Sequence, residues 1–144
     1  MPTMMAYYYW WEAADTPLAK RDRKRVELHG PSFTRAYKAG VKIAFGTDAG
    51  YIPWSDAIAK EFSYLVEYGM TPMEAIKTAT SNAAELLDAQ GELGVISPGA
   101  YADLMAVEGD PLKDIRLMEK VMFVMKDGKV HRNENAASQE PAHR

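Results

Sequence analysis

The sequence contains no cysteine, which excludes a disulfide framework and any thiolate-based metal or nucleophilic site. Histidine is scarce: His29, His131 and His143 are the only three, and no His-x-His pair occurs. No apolar run approaches the length needed to cross a bilayer. An excess of positive charge is also absent, with 17 Lys and Arg against 20 Asp and Glu and a formal net charge of −3. Neither nucleic acid nor an anionic membrane surface is therefore expected as a partner. The one basic cluster, Lys20 to Arg25, reads as the solvated face of a helix in preference to a phosphate-binding patch. The N-terminus lacks the pattern of a secretory leader, because the aromatics Tyr7 to Trp11 run directly into Glu12 and Asp15. A cytoplasmic location is the expectation. Five adjacent aromatics imply that something covers them, since apolar patches of that size meet a partner or a ligand.

What is present is 144 residues with 47% apolar content, enough to bury one core. Pro17 to His29, with Leu18, Val26 and Leu28 among charges, predicts a helix. Gly30 and Pro31 are expected to break or kink it, after which Ser32 caps a short helix that stops at Gly40. Val41 to Phe45 is rich in β-formers and reads as a strand buried on most sides. Ile58, Phe62, Leu65 and Val66 form one helical stripe, with Gly69 near its end. Thr71, Pro72 and Glu74 then carry the start signal of a further helix, running through "TPMEAIKTATSNAAELLD". Its apolar side is Met73, Ile76, Ala83, Leu86 and Leu87.

Beyond residue 90 the period changes. Leu93 to Ile96 and Asp103 to Val107, joined through "SPG", predict one hairpin. Val121 to Met125 and Lys129 to His131, joined through Asp127 and Gly128, predict another. "GDPLKDIRLME" between them reads as a loop with at most a helical turn, and the residues from 132 to 144 as a disordered tail.

Asp48 is the candidate functional residue. It follows the oily run "VKIAF" within "GTDAG". An Asp in that setting caps a helix or shapes a turn. It also stands where α/β enzymes place their chemistry, at the carboxyl end of a buried strand, where a carboxylate suits a divalent metal or a general base.

The ordered set "SFTRAYKAGVKIAFGTDAG", "EFSYLVEYGMTPMEAIKTATSNAAELL", "LGVISPGAYADLMAVEGDPLKDI" and "VMFVMKDGKV" resembles the C-terminal part of the amidohydrolase superfamily, nearest its imidazolonepropionase-like and Xaa-Pro dipeptidase-like branch. The resemblance covers roughly residues 32 to 131. It implies an α/β fold class: the C-terminal fragment of a (β/α)8 barrel, with short β-hairpins of an accompanying small β-sandwich domain. Residues 1–92 would belong to the barrel, with 41–45 as its last strand and "MPTMMAY" as a stub of the strand before. Residues 93–131 would belong to the composite sandwich. The resemblance also implies a divalent metal, zinc first, and makes Asp48 both a metal contact and the group that relays protons during hydrolysis of a small amide, peptide or cyclic amide. A catalytic zinc takes about three protein ligands, which the family draws mostly from earlier strands. The chain is therefore expected to be incomplete by itself and to need the missing N-terminal barrel segment as its partner. Trp54 stands where many relatives carry "PHG", so a substrate contact is expected to be lost there. The competing expectation is a non-catalytic remnant that self-associates through its aromatic N-terminus and open strand edges.

Overall fold

The computed structural model describes residues 17–47 and 58–134. The aromatic run Tyr7–Trp11, the "MPTMMAY" segment, Asp48, Trp54 and the stretch 135–144 lie outside the described residues.

Helix α1, Pro17–Lys38, places Arg35 and Lys38 in its last turn, where cations complement the negative end of the helix dipole. It closes at Gly40: the N–H of Val41 donates to Ala36 C=O (3.1 Å) and that of Gly40 to Tyr37 C=O (2.9 Å). The predicted break at Gly30–Pro31 does not occur, and Pro31 lies inside the helix. Ser32 is correspondingly not a cap, and its Oγ accepts from Arg35 Nη2. The physical reason is tertiary. Gly30 is buried with the Tyr68 ring laid against it, so close that a Cβ there would meet Tyr68 Cε1 at 2.0 Å. Thr34 Oγ1 donates to Tyr68 C=O (2.9 Å), and Phe33 enters the core. Packing on both sides of Pro31 offsets the one backbone donor that it removes.

Helix α2, Lys60–Glu67, buries Glu61, Phe62 and Leu65. Helix α3, Pro72–Ala79, opens with the predicted reciprocal cap: Glu74 N–H donates to Thr71 Oγ1 and Thr71 N–H to Glu74 Oε2. The predicted continuation to Asp88 is interrupted at Thr80 (φ −121°, ψ −101°), and a separate α4 spans Ser81–Leu86. The interruption turns α4 relative to α3, so the 3.6-residue period is not carried across it. Met73, Leu86 and Leu87 of the predicted apolar side are exposed, whereas Ala75, Thr78 and Ala84 are buried.

The sheet has three antiparallel strands in the order β1 (Leu104–Val107), β2 (Val121–Lys126) and β3 (Lys129–Asn133). The hairpin of β2 and β3 is as predicted, with Asp127 (φ 49°) and Gly128 (φ 73°) in its left-handed turn. β3 reaches Asn133, two residues past the end expected for it. The other predicted hairpin is absent. The turn at Ser97–Ala100 closes (3.1 Å), but residues 93–96 form no strand, and β1 pairs with β2, Leu104 opposite Met125 and Ala106 opposite Phe123. Gly94 accompanies the change: its left-handed backbone (φ +69°) is not extended, and it lies so near Thr80 that a Cβ there would fall 2.5 Å from the Thr80 carbonyl. As expected for "GDPLKDIRLME", the link from β1 to β2 holds only turns and a short 3-10 helix, Ile115–Glu119. Ile115 and Met118 of that link join Phe33, Ile43, Phe62, Leu65, Met70 and Ala75 in the core. No helix among the described residues is long and apolar enough to cross a membrane.

Candidate functional site

The site is built around the segment 41–47, which leads directly into Asp48. Its predicted strand is not formed as a ladder, and no neighbouring strand lies beside it among the described residues. Helices hold it instead. Phe45 N–H donates to Thr78 C=O at 2.9 Å, and the side-chain amide of Asn82 donates to Ile43 C=O at 3.1 Å. These bonds come from either side of the Thr80 interruption. In a continuous helix the Thr78 carbonyl would take the N–H of residue 82; the interruption releases it for Phe45. Side chains add to the hold. Ile43 is buried at 3% exposure, and the Phe45 ring meets Phe62 with centroids 4.4 Å apart, while Val41 is exposed.

Beside this segment lies a cavity of about 560 Å³, lined by Lys42 to Gly46, by Glu61 and Leu65 of α2, and by Asn82, Glu85 and Leu86 of α4. Lys42 and Glu85 form an ion pair at its exposed margin. Glu61 is only 3% exposed and sits in the first turn of α2, where the helix dipole favours negative charge. Thr47 is the last described residue before Asp48.

The donors required by a metal do not gather here. Among the described residues no three His, Asp or Glu side chains approach one another closely enough to hold an ion. His29 is half-buried on α1 and His131 is exposed on β3, and neither lines the cavity. The described residues therefore do not fit a complete metal site by themselves.

Among the described residues, several groups away from the cavity have displaced proton affinities. Hydrogen bonds from Thr71 hold the Glu74 carboxyl below its ordinary value, and the same carboxylate pushes the Tyr37 hydroxyl up. Lys126 and then the Asp127 N–H hold the Asp103 carboxyl down, and Lys126 is raised in return. Asp114 is lowered by Arg116, whose Nε and Nη2 donate to its two carboxylate oxygens at 2.8 Å.

Sequence reasoning missed Thr78, Asn82 and Glu61. The signals were nonetheless present. Thr80, Ser81 and Asn82 are consecutive residues that compete with helix for backbone partners. Glu61 is a charge four positions before Leu65 on an otherwise apolar stripe.

A family model described as "Amidohydrolase family" matches residues 14–131. Ochratoxinase of Aspergillus niger is 40% identical over 110 residues, covering 73% of this chain and 22% of that protein. Imidazolonepropionase of Ralstonia nicotianae is 31% identical over 107 residues, covering 71% of this chain and 26% of that one. Among solved structures, a Xaa-Pro dipeptidase with methionine bound in its active site superimposes with a TM-score of 0.82 at 40% identity, over 92% of this chain and 34% of that one. The chain thus spans between about a fifth and a third of the length of these relatives.

Proposed function

The chain belongs to the amidohydrolase family, and on that premise we propose that it forms the C-terminal part of an enzyme hydrolysing a carbon–nitrogen bond in a small amide, peptide or cyclic amide. The observation that carries this reading is the family match over residues 14–131, together with likeness to proteins about three or more times the length of this chain. In this reading residues 1–92 are a portion of a (β/α)8 barrel whose last strand is 41–45, and residues 93–131 contribute to a small β-sandwich. Segments supplied by the remaining N-terminal barrel complete both.

Asp48 is the acid of the site. Its carboxylate accepts the proton of a water attacking the carbonyl carbon and returns it to the departing amine, so that one residue serves both halves of the hydrolysis. Thr78, Asn82 and Phe62 hold residues 43–45, which Asp48 follows closely in the sequence. The family resemblance implies a divalent metal, zinc first, in contact with Asp48. Because the described residues assemble no ligand set for it, the remaining ligands would come from the complementary segments.

Release of amino acid from Xaa-Pro dipeptides tests the proposal, with the chain alone and mixed with the N-terminal segment of the similar Xaa-Pro dipeptidase. Turnover is expected only in the mixture, falling about 10²- to 10⁴-fold in Asp48→Ala. Robust turnover that survives Asp48→Ala would discard the assignment.

A second reading is favoured by the exposure of Leu86, Leu87 and Ile96, the last at 90%. In it the chain is a non-catalytic module that self-associates through apolar surface and strand edges. Native mass spectrometry with metal analysis of the mixture separates the two: one copy of this chain bound to the N-terminal segment together with metal supports the first, and a metal-free homo-oligomer of this chain supports the second.

A further inference from the structure

The two backbone edges of residues 42–46 are occupied differently. In an extended segment the N–H and C=O of one residue point to one edge and those of its neighbours to the other. Ile43 C=O and Phe45 N–H therefore share an edge, and helix groups take both: the Asn82 side-chain amide donates to the first at 3.1 Å, and Thr78 C=O accepts from the second at 2.9 Å. One donor and one acceptor are what a neighbouring strand would offer there. The helices stand in place of such a strand, and this edge is closed to another.

The other edge carries the N–H and C=O groups of Lys42, Ala44 and Gly46, which make no backbone bond among the described residues. Ala44 is half-buried, and backbone groups withdrawn from water ordinarily find a partner. An open edge of this kind accepts an added strand. The same residues, 42–46, line the cavity of about 560 Å³, to which Leu65 and Leu86 give apolar walls. Leu86 is 72% exposed, so this wall is uncovered. The sheet of β1 to β3 does not supply the strand, and the chain covers only 34% of the similar Xaa-Pro dipeptidase.

We propose that the edge formed by Lys42, Ala44 and Gly46 docks one extended, apolar strand of the complementary N-terminal segment, and that the opposite edge takes none because Thr78 and Asn82 cap it. The inference rests on the chain being the C-terminal part of a larger hydrolase. It goes beyond that reading in one respect: strand pairing continues from only one side of residues 41–45, whereas a regular barrel pairs every strand on both.

Amide exchange of the full chain tests both halves, followed by nuclear magnetic resonance with the chain alone and mixed with the N-terminal segment of the similar Xaa-Pro dipeptidase. Alone, Phe45 is expected to exchange about tenfold more slowly than Ala44 and Gly46, relative to their intrinsic rates, the effect of one hydrogen bond in a locally opening segment. In the mixture Ala44 and Gly46 are expected to slow about tenfold, while Phe45 is not exposed. Leu86→Ser is expected to leave the amides of Ala75 in α3 and Val124 in β2 at their rates, which reports an intact fold. It is also expected to weaken the complex about tenfold, the effect of losing one covered apolar side chain. Equal exchange of Phe45 and Ala44 in the chain alone overturns the capped edge. A mixture that forms no complex, a complex in which Ala44 and Gly46 stay fast, or undiminished affinity in Leu86→Ser overturns the docking. Protection of Ala44 and Gly46 without turnover leaves the docking standing and sinks the hydrolytic reading, whereas turnover without that protection does the reverse.

Discussion

Replacing Gly94 by alanine is expected to destabilise the protein by about 2–4 kcal/mol, and the neighbouring Gly91 supplies the control that isolates the cause. Both glycines have left-handed backbones, φ +69° at Gly94 and +83° at Gly91. An L-residue in that region costs about 1–2 kcal/mol, partly offset by about 0.4–1 kcal/mol from the stiffer unfolded chain, which leaves roughly 1 kcal/mol at either position. At Gly91 nothing lies within 4 Å of the new Cβ. At Gly94 the Cβ would fall 2.5 Å from the carbonyl carbon and oxygen of Thr80 and 3.0 Å from Ser81 N. These are backbone atoms and cannot swing aside, so either α4 or the 91–94 loop must shift, an overpacking cost of about 1–3 kcal/mol more. Against a total stability of about 5–15 kcal/mol for a domain of ordinary size, that is a large share. Urea unfolding followed by circular dichroism reads the difference as a lower midpoint at unchanged slope. Because Thr80 lies between the two bonds that hold residues 43–45, Gly94→Ala is also expected to speed amide exchange at Phe45, whereas Gly91→Ala is not. If the two variants lose the same stability, the close approach of Gly94 to Thr80 plays no part and the reasoning fails.

Two further outcomes follow from the packing and the charges. Gly30→Ala gains about 1 kcal/mol of helix propensity but drives a Cβ to 2.0 Å from the Tyr68 ring, an overlap costing about 1–3 kcal/mol. A net loss is expected, turning into a gain when Tyr68 is also replaced by alanine. A double-mutant cycle by urea unfolding decides it, and a gain for Gly30→Ala alone refutes the contact. The Asp103 carboxyl, held low first by Lys126 and then by the Asp127 N–H, binds its proton less readily folded than unfolded. Its contribution to stability is therefore present above the ordinary carboxylate value of about 4 and is lost as pH falls through the lower folded value. Urea midpoints measured downward from pH about 5 should fall less steeply in Asp103→Asn than in the unaltered protein. Parallel slopes count against the pairing.

The features legible in the sequence are those whose causes are local. The Thr71–Glu74 cap, the Asp127–Gly128 turn with its hairpin and the stripe of Phe62 and Leu65 each arise from residues within a few positions of one another. The family was legible as well, because ordered motifs along the chain carry it. Misreadings occurred wherever a distant contact overrode a local signal. Gly30–Pro31 has the composition of a break, yet Tyr68, far along the chain, needs the bare glycine and packs the helix through it. The run from Thr71 to Asp88 has one apolar period, yet the bond from Phe45 N–H to the Thr78 carbonyl and the close approach of the bare Gly94 to Thr80 accompany its division into two helices.

The candidate site divides in the same way. The sequence by itself determined that an acid, Asp48, ends an oily segment within a recognisable family pattern, since both facts reside in residue order. Only the tertiary structure decided that this segment is held by helix carbonyl and side-chain amide in place of a strand ladder, and that Glu61 and Asn82 border the adjoining cavity. The reason is that hydrogen-bond partners more than thirty residues apart in the sequence are chosen by how the helices pack, which no short-range pattern of residues encodes.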